Sequence, residues 1–401
     1  MLNTPFSPWP SFTQAEADAV SQVLLSNKVN YWTGTECREF EKEFAIWANS
    51  DYAIAMGNGT LALDVALQAL GLGEGDEVIV TPRTFIASIS SVINAGATPV
   101  FAEVNEATGN ISPETIKAVL TDKTKAVICV HLAGWPCDMD GIMALADAHD
   151  LYVIEDCAQA HGATYKGRSV GSIGHIGAWS FCQDKIMTTG GEGGMVTTND
   201  ENLWRKMWAY KDHGKSYAAV YETEHPPGYR WLHESFGTNW RMTEMQAVLG
   251  RIQLTRMPDW TAKRTANAQA ILDACAKWEA KGYLSVPRLE QTPEFADCTH
   301  AYYKLYVYVQ PENLPAGWSR DRIIAEINAL KVPCFSGSAS EVYLEKAFDD
   351  TGLRPAAPLP IAKQLGETSL MFLVHPTLTE SEIEQTVQAI EQVFTKMADA
   401  V

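Results

Sequence analysis

The tightest constraint on how this chain can fold is an alternation between residues 52 and 155. Short apolar runs at 52–56, 77–81, 98–102, 126–130 and 151–155 are separated by helically spaced stretches at 60–70, 85–95, 113–120 and 140–149. Runs that are apolar on both sides of the pleat have to be buried on both faces, and helices between them are the crossovers that parallel strands require. The pattern predicts an α/β fold, a mainly parallel sheet covered by helices on both faces. In such sheets ligands collect at the carboxyl ends of the strands. The residues just after each run are therefore where chemistry is to be sought.

Outside the alternation, Thr13-Gln14-Ala15-Glu16 has the form of a capping box and opens a helix to about residue 26. Phe40, Phe44 and Trp47 mark a second helix at 36–48. Residues 201–240 read as a long irregular loop, and loops of that length in compact chains are usually functional or interfacial. Two helices follow at 243–257 and 261–280, then a strand at 302–309, a helix at 320–330, a strand at 369–374 and a closing helix at 380–397. The expected division is a large domain, 1–258, and a smaller C-terminal α+β domain, 259–401.

At 401 residues and 46% apolar, the chain can bury a substantial core. Its 49 acidic residues outnumber 31 basic ones, and the net charge of -18 repels nucleic acid and anionic membrane surfaces. Neither is expected as a partner. The eight cysteines (Cys37, Cys129, Cys137, Cys157, Cys182, Cys275, Cys298 and Cys334) show no Cys-x-x-Cys pair, which fits reduced thiols in a cytoplasmic protein. His131, Cys137 and Cys157 form no paired ligand motif, so no metal is expected. The first ten residues lack a basic segment and an apolar run, and no later run approaches the length of a membrane span.

Lys185 stands between two strand-like runs, followed by a glycine turn, within residues 178–198. A buried ammonium is costly, and a neutral amine held by rigid backbone can form a Schiff base with an aldehyde. A surface hairpin lysine is the plainer reading of the same stretch. Around it, Asn58-Gly59-Thr60 precedes a helix, where free amides and a hydroxyl suit a phosphate or form an ordinary N-cap. Phe85 follows a strand and offers an aromatic face, unless it is simply core. Asp156 closes an apolar strand, where a buried carboxylate needs a cationic or donor partner such as a protonated pyridine nitrogen. Gln159 lies three residues on and Ser180 five before the lysine, each with a hydrogen bond to give.

These residues occur in an order that resembles the DegT/DnrJ/EryC1/StrS family of pyridoxal-phosphate sugar aminotransferases. The resemblance rests on Gly59-Thr60-Leu61-Ala62-Leu63, Pro82-x-Thr84-Phe85, Glu155-Asp156-Cys157-Ala158-Gln159-Ala160-His161-Gly162, Ser180-Phe181-x-x-x-Lys185, Gly191-Glu192-Gly193-Gly194 and Asn239-Trp240-Arg241-Met242. It implies the fold-type I aspartate-aminotransferase architecture and pyridoxal 5'-phosphate as cofactor. Lys185 would bond the cofactor and shuttle protons, Asp156 would face the pyridine nitrogen, Gln159 the ring oxygen and Phe85 the ring face. Gly59, Thr60 and Ser180 would hold the phosphate, and Asn239 would reach the phosphate in the neighbouring subunit, making a homodimer with shared sites. The dehydratases on this fold carry histidine in place of the lysine, so Lys185 favours transfer. A regulator that kept only the fold would have no reason to keep Lys185 with Asp156.

The resemblance further implies L-glutamate as amino donor and a keto or aldehydo sugar as acceptor, destined for surface polysaccharide such as lipopolysaccharide. Cys182-Gln183-Asp184 and the extra glycine in Gly190-Gly191 depart from the commonest family pattern. In this segment the chain resembles family members that aminate a free eight-carbon sugar acid, 3,8-dideoxy-8-oxo-manno-octulosonate, more than those that act on a nucleotide-linked keto-hexose. A carboxylated acceptor wants a cation, and Arg241 and Lys215 or Lys211 are candidates. An intersubunit salt bridge or a solvated loop charge is the other reading of those three.

Overall fold

The computed structural model describes residues 4–400, so Met1, Leu2 and Asn3 of the N-terminal stretch, and Val401, lie outside the described residues. Seven strands build the main sheet: Tyr52–Met56 (β1), Glu77–Val80 (β2), Thr98–Phe101 (β3), Thr124–Val130 (β4), Tyr152–Asp156 (β5), Ile176–Ser180 (β6) and Gly194–Thr198 (β7). They lie in the order β1-β7-β6-β5-β4-β2-β3. Pairs β2/β3, β2/β4, β4/β5 and β5/β6 are parallel. Only β7 runs against its neighbours. The mainly parallel sheet expected from the alternation is the one observed.

The period-two geometry of the strands sorts their apolar residues onto two faces. Val78, Val80, Ile128 and Ile154 pack with Leu63, Ala66, Leu67, Ile89 and Val92 on one side. Ile79, Val127, Cys129 and Val153 pack with Ile142 and Ala146 on the other. Burying each such aliphatic side chain contributes about 1.5–3 kcal/mol, so the sheet is a rigid platform. Its carboxyl edge carries Asp156 at the end of β5, Ser180 at the end of β6, and the turns that follow β1 and β2.

A second, antiparallel sheet comprises Leu284–Ser285 (β8), Leu305–Val309 (β9), Cys334–Phe335 (β10) and Ser369–Phe372 (β11), in the order β8-β9-β11-β10. Leu305, Val307 and Phe372 pack there with Ile323, Ile327, Trp278, Ile390 and Phe394.

The two helices expected at 243–257 and 261–280 are in fact one, Glu244–Ala280, with Pro258 inside it. Proline costs about 3 kcal/mol in a helix interior. Here Leu254 and Met257 pack into the large unit, and Ala268, Ile271, Leu272, Cys275 and Trp278 into the small one. That burial outweighs the proline, and a division at 258 passes through a continuous element. The stretch after residue 200 is also less irregular than expected. It opens with the helix Glu201–Tyr210, capped by Asp200 and burying Leu203, Met207 and Trp208. The helix expected from residue 85 begins at Ala87, which leaves Phe85 in the turn before it.

Candidate active site

A cavity of about 710 Å³ opens at the carboxyl edge of the main sheet, and Gly59, Thr60, Phe85, Asp156, Gln159, Ser180 and Lys185 all line it. Distant segments of the chain meet there because parallel strands deliver their ends to one edge.

At one wall, the helix Gly59–Leu70 is capped by Asn58, whose Oδ1 accepts from the Leu61 N–H. The first-turn N–H groups of Gly59 and Thr60 have no partner within the helix, which leaves them free to donate to an anion. Ser180 sits against the same turn. A Cβ at Gly59 would come within 2.5 Å of the Ser180 Cβ, so only glycine lets strand and helix approach this closely. Ser180 Oγ accepts from the Cys182 N–H at 3.3 Å, and its own proton remains to be donated.

Asp156 is buried, with Oδ2 accepting from Ser88 Oγ at 2.8 Å and Oδ1 from the Ala158 N–H at 3.1 Å. Among the described residues it makes no ion pair, so this carboxylate in the cavity wall lacks the cation that its burial calls for. Gln159 Oε1 accepts from the Ala133 N–H at 2.8 Å, which fixes the amide orientation and leaves Nε2 to donate. Phe85 is not core: its side chain is 70% exposed and lies along the cavity.

Lys185 is held through its backbone. Its carbonyl accepts from Trp9 Nε1 at 2.8 Å, and its N–H donates to the Cys182 carbonyl at 3.1 Å. Gly190 and Gly191, at φ 88° and 121°, make the return turn, a conformation that favours glycine. Lys185 Nζ lies 5.1 Å from the Tyr303 ring centroid, and the Tyr303 hydroxyl donates to Asp184. Burial pushes the Asp184 carboxyl up, but the Lys185 charge and the Tyr303 hydrogen bond hold it below its usual value. Burial, aided by the charges of Lys185 and Arg264, brings His161 down to about 3. Its neutral ring packs on Trp179 and Phe181.

The remaining candidates lie elsewhere in this chain. Arg241 Nη1 and Lys215 Nζ both bind Asp212 Oδ1, at 2.6 and 3.1 Å. Lys211 is buried on Glu41 at 3.2 Å. Asn239 is exposed in the loop, paired through a backbone bridge with Asp212. His131, Glu155 and Cys157 do cluster, with ligand atoms within 4.8 Å of one another. However, His131 Nδ1 accepts from the Cys137 N–H, and Nε2 then donates to Glu155. Glu155 also accepts from the N–H groups of Gly171, Ile173 and Gly174. Burial alone would raise that carboxyl, and these donors hold it low. The trio's imidazole nitrogens and carboxylate oxygens are spent on the protein.

The sequence reading missed Ser88, Tyr303, Ser338 and Glu345, which also line the cavity. Ser88 lies four residues beyond Thr84, a spacing available in the sequence. Ser338 and Glu345 arrive only through tertiary folding of the C-terminal unit.

The unpaired carboxylate, the free amide donors, the exposed ring and the lysine fit a phosphorylated pyridine aldehyde. Residues 10–391 match the DegT/DnrJ/EryC1/StrS aminotransferase family, and the chain belongs to that family of pyridoxal-phosphate-dependent sugar aminotransferases. It is 37% identical over 360 residues to a GDP-perosamine synthase of Caulobacter vibrioides, covering 89% of each chain. It is 34% identical to a UDP-N-acetyl-3-dehydro-alpha-D-glucosamine 3-aminotransferase of Acidithiobacillus ferrooxidans, covering 92% of this chain and 91% of the relative. Among solved structures, an aminotransferase from Psychrobacter cryohalolentis superimposes with a TM-score of 0.98 at 86% identity, covering 98% of this chain and 100% of that one.

Proposed function

We propose that the protein transfers the amino group of L-glutamate to a nucleotide-linked keto-hexose in the cytoplasm, supplying an amino sugar for surface polysaccharide. The observation that carries this is the single cavity joining a buried, unpaired Asp156 to Lys185. Pyridoxal phosphate, when bound, supplies an electron-accepting ring. Asp156 would keep a proton on the ring nitrogen, Gln159 Nε2 would donate to the ring oxygen, and Phe85 would cover one face. The Gly59 and Thr60 amides and the Ser180 hydroxyl bind the phosphate. Lys185 Nζ holds the proton taken from the amino donor's α-carbon and returns it.

The nucleotide-linked acceptor is supported by the GDP and UDP sugars named for the relatives. Of the charged residues lining the cavity, Asp156, Asp184, Glu192 and Glu345 are acidic and Lys185 alone is basic. Cations for an anionic acceptor would have to come from outside this lining, and a second subunit is the source that fits. The loop bearing Arg241, Lys215 and Asn239 also presents Phe236, Trp231 and Tyr229 at 99%, 81% and 77% exposure, as an unpaired dimer surface would. Cys182-Gln183-Asp184 and Gly190-Gly191 favour the second reading, an 8-oxo octulosonate acceptor.

The test is to charge the enzyme with L-glutamate, remove 2-oxoglutarate, and offer each acceptor separately. Amine transfer to a nucleotide-linked keto-hexose is expected. Transfer to the 8-oxo sugar acid alone would replace the proposed acceptor with the second reading.

A further inference from the structure

The described contacts of Asp156 extend beyond the cavity wall. Its Oδ2 accepts from Ser88 Oγ at 2.8 Å, and Ser88 Oγ lies 2.9 Å from Thr84 Oγ1. Distance alone leaves the direction of the second bond open. The proposed role of Asp156 toward a protonated ring nitrogen requires a carboxylate, which only accepts. Ser88 has one proton and gives it to Asp156, so its oxygen must accept from Thr84. Both hydroxyls are buried, with Thr84 2% and Ser88 1% exposed, so water does not compete and each bond polarises the next.

We propose that Thr84 and Ser88 are positioning residues, a directed hydroxyl relay that keeps Asp156 ionised and oriented so that the proton stays on the cofactor's ring nitrogen. This rests on the proposed role of Asp156 toward that nitrogen. With Ser88 on Oδ2 and the Ala158 N–H on Oδ1, both carboxylate oxygens are fixed and the group cannot rotate freely. Without the Ser88 hydroxyl, Oδ2 loses its only described donor and binds the shared proton more strongly. The same turn carries Phe85 into the cavity. One short segment thus supplies both Phe85 and the donor to Asp156.

The test reconstitutes wild type, Ser88→Ala, Ser88→Thr, Thr84→Val and Asp156→Asn with cofactor carrying ¹⁵N at the ring nitrogen, and reads that nitrogen's chemical shift against pH. Ser88→Ala should move the signal toward the unprotonated position, Thr84→Val should move it less in the same direction, and Ser88→Thr should match wild type. Losing one hydrogen bond to a charged group should lower kcat roughly 10-fold, with KM for the amino donor little changed. A wild-type signal in Ser88→Ala, alongside a displaced one in Asp156→Asn, overturns the relay and leaves the role of Asp156 standing. An unmoved signal in Asp156→Asn as well overturns the underlying role, and the relay with it. Should Ser88→Ala not retain cofactor, Thr84→Val decides: a wild-type signal there refutes the relay.

Discussion

Replacing Asp156 with asparagine removes one negative charge while keeping the shape of the group. The asparagine Oδ1 can keep the Ala158 N–H bond, and its amide can donate to Ser88 Oγ, whose hydroxyl is free to turn toward Thr84. The fold should therefore lose no more than about 1 kcal/mol, the net worth of one neutral hydrogen bond. Catalysis should lose more. Opposite charges about 4 Å apart attract by roughly 4 kcal/mol at the effective dielectric of about 20 that suits protein sites. The amide dipole recovers part of this, leaving a deficit of about 3 kcal/mol, or about 150-fold in rate. Single-turnover amine transfer from L-glutamate measures it directly, with thermal unfolding as the control for structure. A folded, cofactor-loaded variant within about fivefold of wild type would refute the argument, since under about 1 kcal/mol would then separate charged from neutral.

Asn239→Ala should weaken cofactor binding, and mixed dimers with Lys185→Ala should regain one working site each; no recovery would mean that Asn239 serves its own subunit. His161 sits near 3 in the fold, below its ordinary 6.5, because burial and then the charges of Lys185 and Arg264 oppose protonation. The unfolded chain binds a proton here that the native protein does not, so this stability is present above about pH 6.5 and is lost as pH falls toward 3, by about 1.4 kcal/mol per pH unit. His161→Phe should flatten unfolding midpoint against pH in that window, and curves parallel to wild type would contradict the assignment.

The main sheet was legible because its strands are apolar on both faces, a pattern that few other structures can satisfy. Most of the cavity lining was legible for the same reason: Asp156 and Ser180 end strands, and Gly59 and Thr60 open a helix, so the rule that parallel strands present their ends together brings them to one edge. Phe85 was ambiguous in sequence because an aromatic in an apolar stretch is usually core, and only the late start of the helix at Ala87 turned it outward. The helix through Pro258 was not legible, since the local cost of proline is visible in sequence while the burial that offsets it on two cores is not. The helix Glu201–Tyr210 was obscured by charged residues between Leu203, Met207 and Trp208. Arg241 and Lys215 look like free loop cations in sequence, and only folding shows both committed to Asp212. Tyr303, Ser338 and Glu345 reach the cavity from far along the chain, where no local spacing signals the contact.

Lys185 is the residue proposed to bond the cofactor. Borohydride reduction of the loaded protein, followed by proteolysis and mass mapping of every lysine, tests it most directly. A reduced pyridoxyl phosphate group is expected on Lys185, with loss of the bound cofactor's visible absorbance and no label in Lys185→Ala. Stoichiometric label on another lysine such as Lys304, or retention of label in Lys185→Ala, would contradict it.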